Sequence, residues 1–184
     1  MIENPTPTPR SKWLRHAVVA LFLCQAASAA MPTVGAAEPA TCAVNPAIRQ
    51  FDFWLGDWTV TYPGTSGSSA STVSATLDSC AVLETWRGDH SHRGENLFAY
   101  SAEEKSWHGL FADNEGRVHV LNGKVAAGVA EFYGPSRGEN GEAELNRVRV
   151  MRVSANEVRQ TWEKSTDKGA TWGTVFQGDY ERGH

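Results

Sequence analysis

The 184-residue sequence lacks the features that mark several common protein classes. It has no regular glycine repeat and no sustained heptad pattern, which excludes collagen-like and coiled-coil proteins. It has no series of long apolar runs, which excludes a polytopic membrane protein. Its 41% hydrophobic content excludes an intrinsically disordered chain. The length suits one domain with, at most, a short appendage.

Basic residues are not in excess either. Lysine and arginine number 17 against 21 acidic residues, which gives a formal net charge of -4. Because phosphate groups are neutralised by a surplus of basic side chains, this balance argues against a nucleic-acid partner.

Residues 1–29 have the pattern of a secretory signal peptide. Three basic residues precede an apolar stretch of about 14 residues, shorter than the roughly 20 that span a bilayer. Ala27-Ser28-Ala29 is an A-x-A cleavage site, and a second candidate site follows Ala37. We therefore predict an exported protein, periplasmic or secreted, with no membrane insertion after cleavage.

The sequence has only three cysteines. A lipobox needs a small residue just before its cysteine, and Leu23 precedes Cys24, so we expect cleavage without lipidation. Cleavage leaves Cys42 and Cys80, and an even number of cysteines in an oxidising compartment predicts a disulfide. No C-x-x-C spacing indicates a redox pair. We predict a structural bond that ties the N-terminal segment to the end of an early strand.

Residues 30–45 are rich in alanine, proline and threonine and predict a linker before a domain at 46–184. The segment Pro46–Leu55 is the helix candidate, with Asn45 as its N-cap and Gly56 ending it.

From Phe51 onward the hydrophobic pattern has a period of two, which predicts strands. Turn-forming residues separate most of them. Such short strands joined by short loops predict an all-β fold, an up-and-down antiparallel barrel of eight to ten strands, with a β-sandwich as the alternative. A barrel of this size holds interior side chains or one small ligand. The predicted strands are 57–62, 71–78, 81–87, 96–101, 106–111, 117–124, 128–133, 146–153, 157–165 and 172–181.

Alternation along four of these strands places aromatic and polar residues on the same face. If these faces line the lumen, the cavity is amphipathic and suits a small polar-aromatic molecule better than a fatty acid. The alternative places the polar members on the solvent face. The four faces are Val82, Glu84 and Trp86; Asn96, Phe98 and Tyr100; Val129, Glu131 and Tyr133; and Val158, Gln160, Trp162 and Lys164.

The segment Phe51–Val60, FDFWLGDWTV, resembles the opening motif of an uncharacterised, mostly bacterial family of exported lipocalin-like domains. Residues 78–86, DSCAVLETW, resemble its GC-x-L-x-E-x-W strand, with Ser79 where glycine is usual. The resemblance implies a calycin-type barrel with no assigned activity. Further matches are Ser106-Trp107, 113–116 and 162–182.

Gly56-Asp57-Trp58 is also the G-x-W that begins the first strand of lipocalins. Glycine allows the chain to turn sharply into the strand, and tryptophan closes one end of the barrel. In calycins an arginine of the last strand lies across this tryptophan, and the resemblance implies this role for Arg182, by cation–π stacking.

Residues Ser165–Trp172 fit S-x-D-x-G-x-T-W, the Asp-box pattern of sialidase-type propellers. In that pattern polar side chains bond backbone amides of a hairpin turn. A propeller repeats such a blade about every 40 residues, whereas this chain has one copy. We predict structural roles for Asp167 and Trp172 and no glycosidase activity.

His90 and His92 form an H-x-H pattern, which on a strand brings both imidazoles to one metal. Glu95 adds a carboxylate, but one residue closer than in the cupin motif, and flanking glycines indicate a loop. We therefore predict no metal site. If a metal does bind, this histidine pair supplies the candidate ligands, with His108 or His119 as further ones. A haem-binding barrel of the nitrobindin type has its haem-ligating histidine on a late strand. This sequence has no histidine on a late predicted strand, because only the terminal His184 follows His119. We expect no cofactor.

Three functional hypotheses remain. The first is a barrel that binds a small molecule. The second is an isomerase, lyase or cyclase with Glu84 or Glu131 as acid or base and Tyr100 or Tyr133 as hydrogen-bond donor. No nucleophile elbow, phosphate loop or metal motif supports it. The third is a ligand-free structural or envelope-interaction protein. The pocket predicted for the first consists of Glu84, Trp86, Asn96, Tyr100, Trp107, Gln160 and Trp162.

Overall fold

The computed structural model describes residues 42–183. The predicted signal peptide and most of the predicted linker lie outside these residues. The described part begins with a 3-10 turn, Cys42–Val44, and Cys42 is disulfide-bonded to Cys80. The predicted disulfide is therefore confirmed. Because this bond ties Cys42 to the residue before a strand, residues 42–44 belong to the folded unit and not to a linker.

A short helix precedes the first strand, as predicted, but it is broken in two. Helix α1 spans Pro46–Arg49, and the side chain of Asn45 caps it by accepting a hydrogen bond from the amide of Ala47 at 3.0 Å. A 3-10 turn, Asp52–Trp54, follows. The predicted segment is therefore helical almost to its expected end, but as a short α-helix followed by a 3-10 turn.

The break has a packing reason. Ile48, Phe51 and Trp54 are all buried and lie three residues apart, which matches the three residues per turn of a 3-10 helix. The Phe51 ring meets Phe98 and Trp107 edge to face, each with centroids 5.3 Å apart. The segment thus plugs one end of the barrel with aromatic side chains. No helix within residues 42–183 is both long and apolar enough to cross a membrane.

Ten antiparallel strands form a closed up-and-down barrel, which confirms the predicted fold class and excludes the sandwich. Each strand pairs with its neighbours in the chain, and β1 closes the barrel against β10. The strands are β1 Gly56–Thr61, β2 Ser68–Thr76, β3 Ala81–Arg87, β4 Arg93–Ser101, β5 Ser106–Asp113, β6 Val118–Ala126, β7 Val129–Arg137, β8 Ala143–Arg152, β9 Glu157–Ser165 and β10 Gly173–Arg182.

The sequence predicts that strand β7 ends at residue 133, before Gly134 and Pro135. In the structure β7 continues through both of them to Arg137. Pro135 pairs with Leu145 of β8, whereas the ladder between β6 and β7 extends only to the pair Asn122 and Tyr133. Proline has no amide hydrogen to give to β6. It is tolerated here because β6 does not pair with this part of β7.

At the plugged end, Arg182 lies over Trp58, with its guanidinium carbon 4.4 Å from the ring centre. Its Nη1 donates a hydrogen bond to the carbonyl of Leu55 at 3.0 Å, and the indole of Trp58 donates to the carbonyl of Trp54 at 2.9 Å. Gly56 has φ +139°, and a Cβ there would overlap the guanidinium of Arg182. The glycine of the G-x-W motif is therefore required by both its backbone conformation and this close approach.

Candidate functional site

The lumen opens at the end opposite the plug into a cavity of about 430 Å³. Four aromatic side chains form part of its wall, and they come from strands β3, β5, β9 and β10. The edge of Trp162 meets Phe111, with ring centroids 5.1 Å apart. The indole of Trp86 is held by a hydrogen bond to Ser69 Oγ at 2.8 Å. The four aromatic wall residues are Trp86, Phe111, Trp162 and Phe176.

The floor of this cavity is a hydrogen-bonded row of side chains that crosses the lumen. The carboxyl group of Glu84, on β3, accepts hydrogen bonds from Ser71 Oγ at 2.8 Å and from Asn96 Nδ2 at 2.7 Å. The hydroxyl of Tyr180, on β10, lies 3.0 Å from Glu84 Oε1 and 2.5 Å from Gln160 Oε1, on β9. The row separates the open cavity from the packed lower half of the barrel. We call these five residues the polar floor.

Burial controls the protonation of the polar floor. Glu84 is only 1% exposed, and burial raises the pKa of its carboxyl group, although the hydrogen bonds from Asn96, Ser71 and Tyr180 oppose this. Burial and the neighbouring Glu84 raise the pKa of Tyr180 well above its ordinary value of 10.0. Both groups therefore resist ionisation, and a neutral floor is favoured.

Charged residues surround the mouth of the cavity, mostly in pairs. Lys164 lies 2.8 Å from Glu144, and Arg117 lies 2.6 Å from Asp113. His119 lies edge-on to Trp162, with ring centroids 4.9 Å apart. Burial, together with the charges of Lys164 and Arg117, lowers the pKa of His119 below its ordinary value of 6.5. At neutral pH it therefore presents an uncharged imidazole to the cavity.

The structure brings five of the predicted pocket residues together at this cavity: Glu84, Trp86, Asn96, Gln160 and Trp162. Tyr100 and Trp107 are the exceptions, and their predicted position was wrong. They lie nearer the plug, with ring centroids 5.7 Å apart, and Trp107 packs against Phe51. Both side chains point into the barrel, but they lie in the part of the lumen that the plug occupies.

The predicted inward face of β7 was also wrong. Ala130 and Phe132 face the lumen and are fully buried, whereas Val129 and Tyr133 are 37% and 41% exposed. Glu131 therefore lies on the outer face, where it pairs in register with Arg149. A shift of one residue exchanges the two faces of a strand, and this strand has apolar residues on both. Glu131 and Tyr133 thus cannot act in the lumen.

Sequence reasoning missed several residues that line the cavity: Phe111, His119, Phe176 and Tyr180. Tyr180 carried a usable signal. It lies two residues before Arg182 on the same strand, so that alternation places both on the inner face. The other three have apolar neighbours that point outward, such as Val118 and Val120 beside His119, so alternation gave no comparable signal.

The histidine pair lies in the β3–β4 loop at the open end. His90 and Ser91 both have a positive φ, so the segment is a turn and not a strand that aligns two imidazoles. His92 contacts Glu115 of the β5–β6 loop, and Asn114 donates a hydrogen bond to the carbonyl of Ser91 at 2.9 Å. Among residues 42–183, no three potential metal ligands cluster.

His108 and His119, the further candidate ligands, lie on opposite sides of the barrel wall. His119 lines the cavity, whereas His108 lies 2.8 Å from Glu104 beside the β4–β5 turn. The two imidazoles therefore do not converge with the loop histidines on one centre.

The Asp-box segment forms the turn between β9 and β10, as its pattern predicts. Asp167 Oδ1 accepts hydrogen bonds from Ser165 Oγ at 2.7 Å and from the amide of Thr171 at 2.9 Å. These bonds lower the pKa of Asp167 from 3.8 to about 2. Trp172 donates to the carbonyl of Gly169 at 3.0 Å. The geometry is that of a structural hairpin.

The chain matches no model of a protein family and no curated protein sequence. The likeness to the lipocalin-like family thus rests on the motifs themselves. The barrel, the disulfide and the contact between Trp58 and Arg182 are observed in the structure itself and do not depend on that likeness.

Proposed function

We propose that this protein is an exported, lipocalin-like barrel that binds a small polar-aromatic molecule in its open-end cavity. The observation that carries the proposal is the polar floor beneath aromatic walls. Stacking surfaces combined with a few oriented hydrogen-bonding groups are typical of small-molecule sites, whose volumes are roughly 300–1,000 Å³. The cavity of about 430 Å³ falls in this range.

The same cavity favours binding over a ligand-free structural barrel. Protein interiors are close-packed, and a barrel with only a structural role is expected to fill its lumen with side chains. Here the lower half is filled in that way by Phe98, Trp107 and Phe132, all fully or almost fully buried. The upper half instead remains open above residues that carry hydrogen-bonding groups.

Export is supported by two independent features. The Cys42–Cys80 bond is of the kind that persists in oxidising compartments. The signal-peptide pattern of residues 1–29 is consistent with this. The resemblance of Phe51–Val60 to exported lipocalin-like domains agrees with both.

Native mass spectrometry of the mature protein from its own host tests the proposal. We expect an additional mass that is lost on denaturation. In solution, a matching compound is expected to change the tryptophan fluorescence saturably. Trp86→Leu, which removes a wall of the cavity, is expected to weaken this binding at least tenfold. Trp172→Leu, a change of the same size outside the lumen, is expected to leave it unchanged. Failure to find any bound or saturable ligand across a broad metabolite set would contradict the proposal.

A second candidate function is an acid- or base-catalysed isomerisation, elimination or cyclisation on the same barrel. The observation that favours it is Glu84, a carboxyl group that lies at the cavity floor and whose pKa is raised by burial. The two functions are distinguished by turnover. Product formation that Glu84→Gln abolishes while binding persists would favour the enzyme, and binding without product would contradict it.

A further inference from the structure

In the polar floor, the hydroxyl of Tyr180 takes part in two hydrogen bonds but has only one proton to donate. The phenolic oxygen of Tyr180 lies within hydrogen-bond distance of two oxygens, Glu84 Oε1 and Gln160 Oε1. A phenol has one proton and can donate to only one of them. The second hydrogen bond therefore needs a proton from Glu84, or a Gln160 amide turned so that its nitrogen faces Tyr180.

The surroundings of Glu84 favour the first arrangement. Its three partners, Ser71, Asn96 and Tyr180, are all uncharged, and its side chain is almost fully buried. An ionised carboxylate without a cationic partner is costly in such a place, so the group keeps its proton instead. Glu84 then donates to Tyr180, and Tyr180 donates to Gln160 Oε1.

This arrangement fixes what the floor offers to the cavity. Because the Gln160 oxygen accepts from Tyr180, its amide nitrogen is the group left for a ligand. That nitrogen makes no hydrogen bond within residues 42–183, yet it is not among the fully buried polar atoms. Gln160 lines the cavity, so its N–H groups are accessible there. Glu84, in contrast, has both carboxyl oxygens engaged by the floor itself.

We propose, on the basis of the binding function above, that Glu84 is a neutral carboxylic acid and that the cavity selects planar, uncharged ligands which present a hydrogen-bond acceptor, such as a ring carbonyl, to Gln160. An amine or ammonium ligand is disfavoured, although aromatic walls alone would suit a cation. It would find no free carboxylate at the floor.

The ligand class is tested with a matched pair of probes, 1-tetralone and 1-aminotetralin, which have the same bicyclic skeleton. The aminotetralin is protonated at neutral pH. Titrations are followed by the indole N–H signals of Trp86 and Trp162 in NMR spectra. We expect the ketone to bind at least tenfold more tightly than the amine. Preferential binding of the amine would overturn the ligand class and leave the proposed function standing. Absence of any shift with either probe would overturn the ligand class, and failure of the broad metabolite screen as well would overturn the binding function.

A specificity variant tests the role of Gln160. Gln160→Met removes the amide donor that faces the cavity without introducing a charge, so it should lose ketone binding. Gln177→Met, on the outer face of β10, makes the same change away from the cavity and should leave ketone binding unchanged. Unchanged ketone binding in the folded variant would overturn the assignment.

The protonation of Glu84 has its own measurement, which needs no ligand. An infrared spectrum in D2O at neutral pH should contain the C=O band of a protonated carboxyl group, and Glu84→Gln should remove it. A wild-type spectrum without the band would mean that Glu84 is ionised and that Gln160 turns its oxygen to the cavity.

Discussion

Tyr180 of β10 and Glu84 of β3 meet inside the barrel, with the phenolic oxygen 3.0 Å from the carboxyl group, although 96 residues separate them. Two strands, β1 and β2, lie between them in the barrel wall. Their contact divides the interior into a packed lower half and an open upper half. Four predictions follow from this contact and from the two ends of the barrel.

Removal of the Tyr180 hydroxyl should destabilise the protein. In Tyr180→Phe, Glu84 and Gln160 lose a shared partner in the barrel interior, and an unsatisfied buried polar group costs about 1–3 kcal/mol. Urea unfolding measures the loss. Tyr133→Phe, on the outer face, should change the free energy of unfolding by less than about 0.5 kcal/mol. Equal effects of the two variants would show that the floor contributes nothing to stability.

Stability should depend on pH through Glu84. Its pKa is raised in the folded state above the ordinary 4.5, so over this interval the folded protein holds a proton that the unfolded chain releases. The free energy of unfolding of the wild type should therefore fall as the pH rises from 4.5 to the raised folded value, and then level off. Glu84→Gln has no such proton and serves as the reference at each pH. A difference between the two proteins that is constant with pH, or that rises over this range, would refute the assignment.

The plugged end should depend on the shape of the Arg182 side chain as well as its charge. Arg182→Lys loses the planar stack on Trp58 and the hydrogen bond to Leu55, at a cost of about 1–2 kcal/mol. Thermal and urea unfolding measure this cost. Arg93→Lys, at an exposed position of β4, should have almost no effect. If both lysine variants are as stable as the wild type, the stack is incidental to stability.

The Asp-box turn should loosen in acid before the barrel unfolds. Because the pKa of Asp167 is lowered from 3.8 to about 2, its contribution to stability is present above 3.8 and is lost as the pH falls towards 2. Hydrogen exchange at the amide of Thr171, which donates to Asp167, should accelerate over this interval. In Asp167→Asn the acceleration should be missing. Exchange that is equally slow in the wild type at both ends of the interval would contradict this view of the turn.

Much of the candidate site was accessible from alternation alone. Gln160 and Trp162 on β9, and Glu84 and Trp86 on β3, share faces in the sequence and line one cavity in the structure. On β7 the same reasoning failed for Glu131, because that strand has apolar residues on both faces and the pattern does not distinguish them. The position of a residue along the barrel axis could not be predicted from the sequence either. Trp107 faces inward but lies where Phe51 fills the lumen.

The sequence by itself determined the local features of this protein. A period of two with turn residues between strands specified the meander, two cysteines specified the disulfide, and Gly56 and Asp167 specified the turns in which they lie. Only the tertiary structure decided where the lumen is filled and where it is open. That depends on the register with which β1 and β10 close the barrel and on how deeply the plug inserts. Both set contacts between residues far apart in the chain, such as Glu84 and Tyr180, and no local pattern encodes such contacts.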